Sequence, residues 1–281
     1  SSNTPYDDVF RTLLNDCTQL IIAVINEAFH EHYTGKERIE FGPNEHFINE
    51  QDGAEEKRVT DTFFIIYGDV PRRYHIECQS TPAGRMLIRI FEYDSQIALD
   101  NSQLEGNSLR VKFPHSAVLY LRSNASTPDT MRIIIETPGG EIAYNIPVIK
   151  VQEYSLDDIF QKDLLFLIPF YIFTHESRFS EYENDAGKMN ELWEEFSKIR
   201  RRLDELASRG ELEEYIEYRL FDMTKKVLGH ITEKYDNLRK GARSIVGGRI
   251  LDYPAKTVFE QGFAQGVSRS EERRVGKECR S

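Results

Sequence analysis

Two short apolar runs separated by a tight turn constrain this chain more than any other feature. Residues 58–67 (RVTDTFFIIY) and 73–79 (RYHIECQ) are rich in β-branched and aromatic residues, and Gly68, Asp69 and Pro71 mark a turn between them. A strand–turn–strand unit this short reads as a β-hairpin. Side chains alternate along a strand, so His75, Glu77 and Gln79 share one face and Tyr74, Ile76 and Cys78 the other. An apolar strand has no packing use for Glu and Gln side by side, and a buried carboxylate without a partner is costly. Either that face meets solvent or the pair serves a site. Asp61 raises the same question, because Phe63, Phe64, Ile65 and Ile66 follow it directly.

The surrounding periodicity supplies the rest of the architecture. Over residues 6–29, Val9, Phe10, Leu13, Leu14, Leu20, Ile21, Val24, Ile25 and Phe29 recur at helical spacing, with Asn15 and Asp16 as a break. Residues 36–56 are polar and irregular, and 40–48 is the candidate for a short edge strand. Thr81, Pro82 and Gly84 end the hairpin, and 86–99 returns to helical periodicity. Further strands are predicted at 116–121, 131–136 and 142–151. This order of helix, strands, helix and strands is an α/β, or mixed α+β, layer arrangement. The dense apolar run 164–173 predicts a buried helix around Pro169. Residues 180–243 are charged, with apolar residues at helical intervals and Gly210 separating two helices, which predicts a helical extension packed on the core or arranged as a hairpin. The chain therefore divides into a core over 1–176 and a charged helical extension over 177–266. The closing string RSEERRVGKECRS breaks with what precedes it, and 267–281 is set aside as a non-native tail, with a genuine charged tail as the alternative.

With 281 residues, 40% hydrophobic and 30% charged, the chain can bury a core, and wholesale disorder is excluded. No apolar run approaches the roughly 20 residues that span a bilayer, so no membrane partner is expected. Residues 1–8 lack the basic start of a secretory signal. Cys17, Cys78 and Cys279 form no CxxC pair, which argues against a zinc site or a disulfide framework and for a reducing, cytoplasmic setting. The net charge of −11 disfavours a broadly basic nucleic-acid surface and points to a metal-dependent site.

If the two strands pair as a hairpin, Asp61 and Glu77 approach each other across the sheet. Two neighbouring carboxylates raise one another's pKa unless a cation lies between them. Mg²⁺ (or Mn²⁺) suits such a site, because it needs few carboxylates and completes its shell with water and phosphate. The chemistry implied is metal-assisted hydrolysis of a phosphodiester.

Asp61, then Glu77-x-Gln79 at the end of the next strand, then a helix, resembles the PD-(D/E)xK nuclease motif with Gln in place of the usual Lys. The stretches YDDVFRTLL (6–14), TDTFFIIYG (60–68) and YHIECQSTPAGRMLIRIFEYDSQIAL (74–99) are similar to the PD-(D/E)xK family transposases, a group allied to the Rpn recombination-promoting nucleases. The resemblance covers roughly residues 6–150 and continues weakly beyond. It implies a restriction-endonuclease-like core, with a mixed sheet flanked by helices, and a Mg²⁺-dependent DNA endonuclease of the recombination type. It implies metal-binding roles for Asp61 and Glu77 and a water-positioning role for Gln79, whose neutral amide orients water but supplies no charge. Arg89 and Tyr93, at i and i+4 on the following helix, match the family, and Arg89 supplies the missing cation or grips a phosphate. Asp7, Phe10 and Arg11 match its N-terminal pattern, and Glu27 is a candidate extra carboxylate. The implied partner is DNA, and homo-oligomeric assembly is compatible with it.

Each assignment has a plainer counterpart. Asp61, Glu77 and Gln79 can be ordinary polar residues on an exposed sheet face. Arg89 and Tyr93 can be a surface pair, or Arg89 a structural partner of Glu92 or Asp61. Asp7 can cap its helix, with Arg11 solvated. Glu27 can be a surface residue, and His75 a packing or hydrogen-bonding group. Arg200, Arg201 and Arg202 can touch a DNA backbone or be solvated. The alternative function is a catalytically weak or inactive nuclease fold that acts as a DNA-binding or interaction module.

Overall fold

The computed structural model describes residues 5–42, 45–49, 55–59, 63–82 and 84–247. The amphipathic N-terminus forms α1 (Pro5–Asp16) and α2 (Ile21–Phe29), joined by a 3-10 turn at Thr18–Leu20, so the break falls where Asn15 and Asp16 place it. Next come β1 (Arg38–Phe41), β2 (Glu45–Asn49), β3 (Glu55–Val59), β4 (Phe63–Tyr67) and β5 (Pro71–Gln79). Helix α3 (Met86–Asp100) follows, then β6 (Gln103–Glu105), β7 (Ser108–Arg110), β8 (His115–Tyr120), β9 (Thr130–Thr137) and β10 (Gly140–Lys150).

The main sheet has six strands in the order β1-β4-β5-β8-β10-β9. β4 pairs antiparallel with both β1 and β5, β8 joins β5 in parallel through α3, and β10 runs parallel to β8 and antiparallel to β9. This is the mixed, helix-flanked sheet expected from the sequence. The expected hairpin forms, with Phe63 opposite His75 and Tyr67 opposite Pro71. The run 58–67 is not one strand, however. Glu55–Val59 pairs with β2 in a separate two-stranded ribbon, and only Phe63–Tyr67 enters the main sheet. EEKRV is charged at four of its five residues, whereas FFIIY carries the apolar density of a sheet interior. The β6–β7 hairpin, built on Gly106 at φ +61°, is too short and too exposed to leave a periodic signal.

The two faces of the sheet are unequal. One carries Phe64, Ile66, Tyr74, Ile76, Cys78, Ala117, Leu119 and Ile149 into a large core shared with α1, α2 and the C-terminal helices. The other carries Val118, Tyr120, Ile133 and Ile146 against Met86 and Ile90 of α3, a much smaller cluster. Beyond the sheet lie α4 (Leu156–Gln161), a 3-10 segment (Leu165–Arg178), α5 (Phe179–Asn184), α6 (Ala186–Ser208), α7 (Glu214–Ile231) and α8 (Asp236–Gly247). Ser155 opens α4 with a reciprocal capping box to Asp158. The buried helix expected around Pro169 is present, wound as a 3-10 helix with Leu165 to Phe173 buried. Proline has no N–H to donate and its ring crowds the carbonyl one α-turn earlier, so regular α-winding is interrupted at Pro169. The C-terminal helices are not a free hairpin. Leu192, Phe196, Leu203, Leu220 and Val227 join the core that the sheet begins. The tail 267–281 lies outside the described residues.

One glycine in this helical layer has a steric task. A Cβ on Gly241 of α8 would come 2.8 Å from Cε2 of Trp193, which is buried on α6. Alanine gains about 1 kcal/mol of helix propensity over glycine, but overpacking costs about 1–3 kcal/mol. Gly241→Ala should therefore lower the thermal midpoint. It should also shift the emission of Trp193, the chain's single tryptophan. An unchanged midpoint and spectrum would remove this account of the α6–α8 contact.

Candidate functional site

The centre of the polar face of β5 is a chain of hydrogen-bonded charges. His75 is completely buried, and Phe63 and Ser116 are its pairing neighbours on β4 and β8. Its Nδ1 lies 2.8 Å from Oδ1 of Asp94 and its Nε2 lies 3.1 Å from Oε1 of Glu77. Asp94 is equally buried, and the same Oδ1 accepts a 2.7 Å hydrogen bond from Ser116 Oγ. The other oxygen of Glu77, Oε2, accepts a 2.6 Å bond from Arg89 Nη2. The chain thus runs Ser116–Asp94–His75–Glu77–Arg89, from fully buried to 23% exposed at the Arg89 side chain.

The electrostatics follow from this geometry. A ring nitrogen facing a carboxylate must donate, and His75 faces a carboxylate at both nitrogens, so it is held as imidazolium. Burial works against the charge, but the bonds to Asp94 and Glu77 outweigh it and raise the His75 pKa from 6.5 to about 9. Burial likewise works against an ionised Glu77, yet His75 and Arg89 bring its pKa below the usual carboxylate range. Glu77 is therefore an anion at neutral pH in a nearly dry place, with its side chain 12% exposed. The Tyr93 ring stands edge-on to the imidazole at 5.8 Å and closes the chain on one side.

The predicted residues fall into separate groups. Glu77, Arg89 and Tyr93 come together, because α3 returns across the strand that supplies Glu77. The exposed-face alternative for Glu77 is overturned, since α3 covers it. Arg89 pairs with Glu77, and neither surface pairing nor Glu92 accounts for it. Asp61 lies outside the described residues. Gln79 shares the face, but its amide nitrogen donates to the Cys78 carbonyl at 2.9 Å, leaving the side-chain carbonyl to accept. Asp7 lies in the first turn of α1, and its charge helps burial raise the pKa of the Cys78 thiol, which places it near the end of β5. Phe10 is a core residue packed edge-on against Phe166. Arg11 is half-buried on α1. Glu27 belongs elsewhere, accepting from Tyr154 Oη at 3.1 Å and Lys162 Nζ at 2.6 Å. Of the arginine run, Arg200 stacks on Phe221, and Arg202 bonds Asp157 and stacks on Phe160.

Sequence reasoning undervalued His75 and missed Asp94. The signal for Asp94 was present, because it stands between Ile90 and Ile97 in the buried stripe of α3. An acid in an apolar stripe requires a buried partner.

Among the described residues no group of three or more His, Cys, Asp or Glu side chains is arranged to hold a metal ion. Of the donors assigned to a divalent cation, Glu77 is described. An ionised carboxylate suits Mg²⁺ or Mn²⁺, and because both of its oxygens are already bonded, a cation there shares an oxygen with Arg89 or His75 or displaces it. Among the described residues no helix is long and apolar enough to cross a membrane. Comparison with family models, curated proteins and solved structures finds no match to this chain.

A group whose pKa is raised by folding stabilises the protein below its unfolded value and loses that contribution as pH rises through the folded value. For His75 the window is 6.5 to about 9. The unfolding free energy from urea titrations should therefore fall between about pH 7 and pH 9.5 by more in the native protein than in His75→Gln, by on the order of a few kcal/mol. Parallel pH profiles would mean that His75 is not the charged link. Asp94→Asn removes one partner of a buried ion pair and should cost about 3–5 kcal/mol, measurable in the same experiment.

Proposed function

We propose that the chain is a Mg²⁺-dependent DNA endonuclease of the recombination-promoting type, with Glu77 as its central carboxylate. The observation that carries this reading is that Glu77 is an ionised carboxylate on an inner strand, held at the point where the chain crosses through α3 to a parallel neighbour. Hydrolysis of a phosphodiester needs a hard anionic ligand at neutral pH, and the His75–Arg89 pairing supplies one. In this reading Asp61 and Glu77 hold the cation, which when bound polarises the phosphate and activates water. Asp61 stands two residues before Phe63 in the sequence, and Glu77 two residues after His75, its pairing partner.

The remaining residues act as positioners. Asp94 and Ser116 fix the imidazole, and the imidazole fixes Glu77. Arg89 offers one N–H to Glu77 and has further donors with which to hold a phosphate oxygen. The side-chain carbonyl of Gln79 accepts from water. The buried, unbridged Cys17 and Cys78 fit a reducing cytoplasmic setting.

A second reading has its own observation. Both oxygens of Glu77 are engaged, and the neutral amide of Gln79 is turned back on its own strand. Those two facts favour a nuclease fold that binds DNA without cutting it.

Supercoiled plasmid with Mg²⁺ separates the two. The native protein should nick it, and Asp61→Ala and Glu77→Gln should each lose about 100-fold or more, with circular dichroism showing that both remain folded. Equal nicking by either variant defeats the assignment of that residue. Salt-sensitive binding without cleavage selects the second reading.

A further inference from the structure

The sheet ends on β9, and that edge is long, regular and self-complementary. β9 is the last strand in the order, and its pairing with β10 continues one to one from Thr137–Gly140 to Thr130–Pro147 without a bulge. Natural edge strands are usually protected by a bulge, a proline, charged side chains or a covering element, and on β9 the charges are Arg132 and Glu136, one of each sign. Which backbone groups turn outward follows from the ladder. Val148 N–H donates to Asp129 C=O, and Pro147 opposite Thr130 has no N–H to give, so the odd-numbered residues of β9 bond to β10. Arg132, Ile134 and Glu136 therefore present their N–H and C=O to the open side. No backbone hydrogen bond among the described residues reaches those groups from beyond the sheet.

The side chains of the same three residues are exposed, with Ile134 53% accessible. Among the described residues neither Arg132 nor Glu136 has an ion-pair partner. Read backwards, the outward row Arg-x-Ile-x-Glu becomes its own electrostatic complement. We propose that β9 is a homodimer interface. Two copies of this chain pair antiparallel, edge to edge, with Ile134 on the two-fold axis. Arg132 of each copy then faces Glu136 of the other, and Ile134 faces Ile134. The hydrogen-bonding phase is correct for this register, because all three outward residues meet outward residues. On the opposite face, Ile133 of each copy meets Ile135 of the other. The charges also fix the register. A slip of two residues sets Ile134 opposite a charge, and a slip of four sets Arg132 against Arg132 or Glu136 against Glu136. The result joins the two six-stranded sheets into one continuous sheet.

The test is sedimentation of the full chain over a range of concentrations. The native protein should be a dimer in reversible exchange with monomer. Arg132→Glu and Glu136→Arg each replace two attractions with two repulsions and should weaken dimerisation roughly tenfold or more. Mixing these two variants should restore a dimer containing one copy of each, and the double variant carrying both changes should dimerise alone. Ile134→Pro removes an outward N–H and no ladder bond to β10, and should give a folded monomer. A native protein that is monomeric at every concentration overturns the proposal. So does a dimer that neither charge reversal weakens, or a mixture of the two reversed variants that does not associate.

Discussion

The doubly bonded imidazolium of His75 is the interaction on which the rest of this face depends. A fully buried ring is ordinarily driven to its neutral form. Here carboxylates at both nitrogens reverse that preference, and the ring's charge in turn makes an ionised Glu77 tolerable. Removing any member leaves the next one buried and unbalanced. Buried ion pairs contribute little net stability compared with apolar packing of the same volume. The presence of four such groups under α3 is therefore hard to explain as a stabilising device, and easier to explain as a means of keeping one carboxylate anionic in a dry place.

The asymmetry of the two sheet faces makes this arrangement affordable to the fold. The face towards α1, α2 and the C-terminal helices carries nearly all the large apolar side chains and supplies most of the hydrophobic stabilisation. The α3 face has a small apolar cluster beside its ionic chain. A protein with equal cores on both sides would gain more from leucine at positions 75 and 94. This one has apolar area enough on the other side.

Much of this was legible in the residues, and what was missed has physical causes. The period of two in RYHIECQ correctly separated His75, Glu77 and Gln79 from Tyr74, Ile76 and Cys78, because a half-turn per residue leaves no freedom. The helical period placed Arg89 and Tyr93 on the side that returns to that strand. The role of Asp94 went unread because pairing across α3 depends on docking depth, which spacing alone does not encode. The 58–67 run split because residues in sequence continuity need not share a sheet. The 3-10 winding around Pro169 comes from the proline's missing N–H and bulky ring, which the spacing of apolar residues does not register.

His75, Glu77, Arg89 and Asp94 all come from one strand and the helix that follows it, and that proximity governs how the region can move. Undocking α3 would strand an imidazolium and a carboxylate on the sheet and carry their counter-charges away. Peeling the helix off thus carries the cost of leaving buried charges unpaired, which makes α3 a latch more than a lid. Of the charged groups in the row, Arg89 is the most exposed, so its guanidinium marks the solvated end beside the Glu77 carboxylate.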